Sequence, residues 1–358
     1  MSIIDCQLRD VVELAYGKSL PERNRKEGAV PVYGSGGIGG YHSVPLVEGP
    51  GVIVGRKGTV GSVYFEKNDF FPIDTVYFVR PFIEKISLEY SYYLLKNLPL
   101  ASLNSDAAVP GLNRDRAYSL PIRLPSLDQQ SRIVEFLRQY DDLIENNRRR
   151  IQLLEESARL LYQEWFVHLR FPGHEQVKIT DGVPEGWSIK RVDSLLGKVA
   201  KKKKIKKEEY LEDGVVPCVD QSQEFIGGYI DDEEAAITEN LPVVVFGDHT
   251  RIVKFIDFPF APGADGTQLL VPNDEEIPRD FFYFMISSIN VANAFYARHF
   301  KFLKAKDVLV PEKKLMHEFS LVVKDNMLQI KLLRNQNRSL AKARDLLLPK
   351  LMSGELAV

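Results

Sequence analysis

Residues 131–166 read SRIVEFLRQYDDLIENNRRRIQLLEESARLLYQEWF and contain neither proline nor glycine. Ile133, Leu137, Tyr140, Ile144, Asn147, Ile151, Leu154, Ala158, Leu161 and Trp165 recur at alternating spacings of four and three. That is the stripe of a coiled-coil seam with one polar position. A second copy lies 186 residues on: Phe319, Val323, Asn326, Ile330, Leu333, Asn337, Leu340, Arg344, Leu347 and Leu351 keep the phase. Arg344 breaks the stripe, and Ala343 can take the seam there. A helix of this length is roughly 50 Å long at 1.5 Å per residue, and its apolar stripe needs a partner. The nearest partner is the other copy. With Ile133 opposite Leu351 and Trp165 opposite Phe319, an antiparallel pair sets Asn147 against Asn337, and a mutual hydrogen bond there would fix the register.

The residues ahead of each helix repeat as well. VPVYGSGGIGGYH (30–42) has its counterpart in VPCVDQSQEFIGGYI (216–230), and PGVIVGRKGTVGSVYF (50–65) in LPVVVFGDHTRIVKF (241–255). FFPIDTVYFV (70–79) matches FAPGADGTQLLV (260–271). An aromatic helix candidate follows in each copy, SLEYSYYLLKNL and PRDFFYFMISSI, and then a closing strand, LPIRLP and KDVLVP. The expected fold is α+β: two similar strand-rich globular domains, 1–127 and 185–312, separated by two long helices packed as an antiparallel coiled coil. The helical segments are 128–168 and 313–358, with a linker at 169–184. The outline is a pseudo-two-fold dumbbell, and two similar domains suit two similar ligands.

With 44% hydrophobic and 27% charged residues, the 358-residue chain has an ordinary globular make-up and can bury more than one core. No apolar run approaches the ~20 residues that span a bilayer, and MSIIDCQLRD lacks the basic-then-apolar order of a signal peptide. No membrane partner is expected. Cys6 and Cys218 are too few for a disulfide framework or a Cys-based metal site, which points to the cytoplasm. The net charge of −2 hides KKKKIKK at 201–207, offset by DDEE at 231–234. Such a run is either a solvated loop or an arm that contacts phosphate.

LPIRLPSLDQQSRIVEFL, a proline-bounded strand leading into the first long helix, and LLEESARLLYQEWF at its end resemble the specificity (S) subunits of type I restriction–modification systems. VPEGWSIKRV (183–192) resembles the entry to a second target-recognition domain in that family, and LLLPKLMSGEL (346–356) its usual C-terminus. The resemblance covers essentially the whole chain. It implies a non-catalytic subunit that reads a bipartite, asymmetric site on double-stranded DNA, one half-site per target-recognition domain. The helices would set the gap between the halves and dock two methyltransferase subunits. Removing a matched heptad from both helices should then change the unread spacer. Exposed Arg148, Arg149, Glu155 and Glu156 offer docking positions. Restriction/translocase subunits would complete the complex. S-adenosylmethionine, ATP and Mg are expected on those partners, with no cofactor in this subunit. The competing reading is a two-domain protein–protein scaffold with no DNA specificity.

DNA recognition asks for cations that hold phosphates, and for side chains that read base edges. GRKGTVG (55–61) offers Arg56, Lys57 and Thr59 between two strands. Its counterpart GDHTRIVK (247–254) offers His249, Thr250, Arg251 and Lys254. Asp248 would accept from a cytosine amine, orient its neighbours, or be structural. Asn113, Arg114 and Arg116 precede the first closing strand, and Asn suits adenine. Arg298, His299 and Lys301 stand before the second, interleaved with Phe300 and Phe302 as core aromatics or base-stacking rings. Lys18, Arg23 and Arg25 form a basic loop that corresponds to Lys202 and Lys203 of the lysine run; phosphate contact suits both. The competing reading of each is a solvated charge on a loop.

Gly34, Gly36 and Gly39 spell G-x-G-x-x-G after a strand, the fingerprint of a dinucleotide site. That site requires a helix directly after the turn. YHSVPLVEGPG follows instead, and the second copy replaces the early glycines with DQSQEF. The better reading is a variable DNA-facing loop, with Gly39–Gly40 and Gly227–Gly228 as a shared turn. Tyr33 and Ser35, or Gln221, Ser222 and Gln223, then approach DNA. There is no P-loop and no H-E-x-x-H, and the Asn/Asp-Pro-Pro-aromatic motif of an adenine methyltransferase is missing. No catalytic or metal-binding residue is expected.

Overall fold

The computed structural model describes residues 3–103, 111–264, 266–291 and 298–358; Met1, Ser2 and Asp265 of the stretches quoted above lie outside these. Two compact units divide the chain, residues 1–148 with 335–358 (unit one) and residues 149–334 (unit two).

Unit one opens with β1 (Ile4–Gln7) and β2 (Val12–Tyr16), then the hairpins β3 (Val30–Gly34) to β4 (Gly37–His42) and β5 (Gly51–Gly55) to β6 (Val63–Glu66). β7 (Phe71–Pro72) and β8 (Val76–Pro81) lead to α1 (Leu88–Asn97), α2 (Arg114–Tyr118) and β9 (Pro121–Leu124). α3 (Leu127–Tyr162) begins in this unit and ends in unit two.

Unit two holds the short hairpin β10 (Ile179–Thr180) and β11 (Val183–Pro184), then β12 (Ser188–Arg191), β13 (Val216–Val219) and β14 (Gly228–Ile230). β15 (Val243–Gly247), β16 (Val253–Ile256), β17 (Ala261–Pro262) and β18 (Thr267–Leu270) follow. α4 (Arg279–Ser288), α5 (His299–Lys304), β19 (Asp307–Val310) and α6 (Lys313–Ser353) complete the chain.

Most pairings recur in each unit, although β2–β8 of unit one is matched in unit two only by the isolated Leu196–Pro272 bridge, and β10–β11 belongs to unit two alone. β1 pairs with β9, and β12 with β19, so each closing strand returns to the start of its own copy. β3 and β13 each carry an antiparallel partner on one side and a short parallel strand on the other. The central strands β5 (GVIVG) and β15 (VVVFG) are buried at every position, as expected for strands covered on both faces. Alternation splits their side chains between two cores. Val52 and Val54 join Leu14, Tyr77, Tyr90, Leu94, Ile133 and Leu351, while Ile53 joins Tyr33, Phe70 and Phe78. Val244 and Phe246 join Tyr162, Phe281, Phe282 and Phe319, while Val243 and Val245 join Val219 and Phe260. The main sheet of each unit is therefore held between helices and a smaller sheet.

The long helices enter these cores rather than standing free of them. Ser87 caps α1 by accepting from the Tyr90 amide at 3.1 Å. Buried Gln130 ties that cap to the start of α3 through the Ser87 amide and the Lys85 and Pro125 carbonyls. Within unit one, Asn147 Nδ2 donates to Asn337 Oδ1 at 2.9 Å and to Gln336 Oε1 at 3.1 Å. Asn337 Nδ2 in turn donates to the Ile144 carbonyl at 3.2 Å. Arg344 is no defect in the seam: it pairs with Asp141, whose carboxylate also accepts from Tyr93 at 2.6 Å. Within unit two, Phe319 is fully buried against Tyr162, Trp165, Phe166, Phe281 and Phe284. In both units α6 numbers rise as α3 numbers fall, so the helices run antiparallel. Pro349 lies inside α6 close to its end.

Candidate nucleic-acid interface

In unit one β2 and β5 end where β8 begins, since Tyr16 pairs with Tyr77 and Gly55 with Val76. The loops leaving that end are stitched to one another. Arg56 and Lys57 amides donate to the Thr75 carbonyl at 2.9 and 3.0 Å, and the Leu112 amide donates to the Arg56 carbonyl at 2.8 Å. Lys57 also bridges to Gly111. Ser62 and Tyr64 hydroxyls donate to the Ser35 carbonyl at 2.7 and 3.0 Å, and the Thr59 amide reaches Ser35 Oγ at 3.4 Å. Ser35, Arg56, Lys57, Thr59, Asn113 and Arg114 thus form one surface. Arg25 joins the basic loop to the β4 hairpin by donating to the Gly39 carbonyl at 2.6 Å. Lys18 and Arg23 are exposed on the same loop.

Unit two gathers its loops at the corresponding strand ends. The His249 amide donates to Gln221 Oε1 at 2.9 Å, and Thr250 Oγ1 donates to the Gln221 carbonyl at 2.7 Å. The Asp248 amide donates to the Gly266 carbonyl at 2.8 Å. His249, Thr250, Arg251 and Gln223 are exposed there, as are Arg298 and Lys301 of the following segment. Arg251 sits at φ 62° and donates to the Val291 carbonyl at 3.2 Å. From the lysine run, Lys202 donates to the Glu234 carbonyl at 2.9 Å, and Lys203 forms an ion pair with Glu209 at 3.0 Å. The backbone amide of Lys206 and the Lys203 ammonium hold the Glu209 carboxyl below its ordinary range.

Several expectations are corrected by these surroundings. Lys254 is 5% exposed and points inward; its ammonium donates to the Asp220 carbonyl at 2.8 Å and to the Glu224 carbonyl. Burial lowers its pKa to about 8 against the pull of Asp220 and Glu224. His299 is buried as well, with Nδ1 against the Asp248 carbonyl at 2.8 Å. Asp248 is structural: its carboxylate accepts from the Phe300 amide at 2.7 Å, at the start of α5. Asn113 is exposed, but its Oδ1 caps α2 by accepting from the Asp115 and Arg116 amides at 2.9 and 3.0 Å. The acceptor needed for paired contact with adenine is therefore engaged. Arg56 commits Nε and Nη2 to the Asp74 carbonyl, which removes one edge for reading guanine. Tyr33 is 6% exposed and donates to Glu66 at 2.8 Å, facing the core.

The glycine run is a hairpin. Gly34 pairs with Gly37, so the turn falls at Ser35–Gly36, and Gly39 and Gly40 lie inside β4 rather than at the turn. Gly40 has φ 136°, and a Cβ there would stand 2.6 Å from Arg25 Nη1. The Arg25 side chain can move aside, so it is the positive φ that calls for glycine here. Of the helix residues offered for docking, Glu155 pairs with Arg334 and Glu156 with Arg159. Composition had not drawn attention to Tyr16. Its ring stands 52% exposed at the end of β2, with Arg56 and Arg114 over it. An aromatic residue ending a strand just before Gly-Lys was its sequence signal. Among the described residues, no helix is long and apolar enough to cross a membrane.

Residues 5–156 match the family model described as "Type I restriction modification DNA specificity domain". Over 341 residues the chain is 25% identical to the "Type I restriction enzyme MjaIX specificity subunit" of Methanocaldococcus jannaschii, covering 86% of this chain and 78% of that one. Over 142 residues it is 26% identical to the "Type I restriction enzyme EcoprrI specificity subunit" of Escherichia coli, covering 38% of this chain and 35% of that one. In fold it resembles the crystal structure of a type I restriction–modification S subunit from M. genitalium. The TM-score is 0.56 at 17% identity, over 98% of this chain and 96% of that one.

Proposed function

We propose, from the premise that the chain belongs to the specificity-subunit family of type I restriction–modification systems, that it reads a bipartite DNA site with one half-site per unit. One observation carries this reading. The two units share their principal strand pairings, and each collects its most variable loops at the same strand ends, where the side chains differ. A shared framework with different loop chemistry suits two different half-sites. Lys57, Thr59 and Arg114 in unit one, and Gln223, His249, Thr250 and Lys301 in unit two, are the side chains best placed to meet DNA. Lys18, Arg23, Lys202 and Arg298 add positive charge around them, where phosphates lie.

The chain supplies recognition, and the chemistry belongs to partner subunits in the cytoplasm. Methyltransferase subunits would carry S-adenosylmethionine, and restriction/translocase subunits ATP and Mg. Docking on the long helices is supported by leucines outside the seam. Leu321 and Leu328, two positions past seam residues Phe319 and Asn326, are 70% and 52% exposed, and Leu332 is 58% exposed. On α3, Leu153 and Leu160 are 62% and 48% exposed. Such leucines at outer heptad positions cost solubility unless a partner covers them.

The test is to express the complete system in a host without methylation and to sequence its modified adenines at single-molecule level. A single motif with two specified halves and an unspecified spacer is expected, with matching preference in fluorescence-anisotropy binding by the assembled methyltransferase. Methylation without sequence preference, or no preference for the motif in binding, sinks the reading.

A further inference from the structure

Tyr16 is the last residue of β2, and its ring carries two guanidinium groups. Arg56 Cζ lies 5.3 Å from its centroid and Arg114 Cζ 4.9 Å. Arg56 also stands 5.9 Å from the Tyr77 ring, and Arg114 5.8 Å from Tyr118. The backbone on either side is fixed. The Gly17 amide donates to the Val76 carbonyl at 3.2 Å, and a Cβ at Gly17 would meet the Ile73 carbonyl oxygen at 2.1 Å. Arg56 is held by Nε and Nη2 on the Asp74 carbonyl at 3.1 and 2.6 Å. Among the described residues, Arg114 has no hydrogen bond from its guanidinium, and no carboxylate lies within ion-pair distance of either arginine. Two like charges on one ring, uncompensated by the protein, leave a site for an anion. The aromatic face offsets part of their repulsion, as a cation–π surface does.

Resting on the DNA-recognition reading, we infer that Tyr16 is a positioning residue that seats Arg56 and Arg114 as a clamp for one backbone phosphate of the DNA bound by unit one. Arg56 supplies fixed charge, because its Nε–Nη2 edge is already engaged. Arg114 supplies the free donors. A phosphate suits this site better than a guanine edge, because two neighbouring positive charges favour a full negative charge over a base dipole. Unit two lacks the device. The Phe82 amide donates to the Val11 carbonyl as the Asn273 amide does to Leu195, and by that register the position matching Tyr16 is Ala200, which has no ring to offer. Tyr16 is 52% exposed at a strand end, outside the buried cores, so Tyr16→Leu is a substitution the fold accommodates.

The experiment measures duplex affinity of the assembled methyltransferase complex across a salt series, with cognate and random duplexes. Variants are Tyr16→Leu, Tyr16→Phe and Arg114→Ala, each checked by circular dichroism. Tyr16→Leu and Arg114→Ala are expected to weaken binding of both duplexes alike, by roughly three- to ten-fold, and to reduce the slope of log affinity against log salt by about one. Tyr16→Phe keeps the ring and should bind as wild type. An unchanged slope in Tyr16→Leu and Arg114→Ala overturns the clamp, as does a loss confined to duplexes with one particular base. A wild-type complex that shows no preference for the cognate duplex overturns the recognition reading instead, and the slopes still decide the clamp.

Discussion

Lys254 shows how a single side chain changes meaning once its strand is known. It sits in β16, whose burial alternates so that Lys254 and Ile256 face inward. Period-two alternation with Ile256 was present in the sequence, but the basic loop beside it suggested a solvated cation. In the folded unit the ammonium holds two carbonyls of the 220–224 loop, which carries Gln221 and Gln223. The lysine lies behind the proposed recognition surface, not on it. Lys254→Met should release that loop and relax sequence preference in one half of the methylated motif, read by adenine-methylation sequencing. Its pH dependence has a definite sign. Burial lowers the folded-state pKa from 10.5 to about 8, so between those values the unfolded chain binds a proton that the folded one has released. Stability attributable to Lys254 therefore rises with pH through that window, by up to roughly 1.4 kcal/mol per unit. The melting-temperature difference, wild type minus Lys254→Met, should grow from pH 7.5 to 10; a constant difference would show that the ammonium is not desolvated.

At the scale of elements, the sequence was most legible where a period ran long. The seam spacing located α3 and α6, and the aromatic runs located α1 and α4, because burial on one face imposes a pattern over many residues. The β1–β9 and β12–β19 pairings were not legible. Their partners are more than a hundred residues apart, and no local pattern encodes a distant register. α5 was also missed, since six residues give too little of a period to see His299 and Leu303 on one buried face. The Asn147–Asn337 contact gives an element-level prediction. Asn147→Leu alone leaves the half-buried Asn337 without its amide partner, which should cost about 1–3 kcal/mol. Replacing both asparagines by leucine should recover most of that loss, since an apolar seam needs no such partner. Urea unfolding followed by circular dichroism measures all three chains. Equal losses in the single and double variants would mean the amides contribute nothing as a pair.

For the whole molecule, the net charge of −2 says little, because binding depends on where the charges sit. The basic and polar loops collect at strand ends in each unit, whereas Lys203, Arg334 and Arg344 are neutralised by partners within their own unit. Each unit also has its own cores, so a loop substitution in one leaves the packing of the other untouched. Recognition should then be separable. Lys57→Ala with Thr59→Ala is expected to relax base preference in one half of the motif only, and Gln223→Ala with His249→Ala in the other half only. Sites without shared partners add within about 0.5 kcal/mol. The loss in cognate affinity for all four substitutions should therefore equal the product of the two separate losses, measured by anisotropy at fixed salt. A substitution in one unit that relaxed both halves, or losses far from multiplicative, would show that the two readers act as a single coupled site.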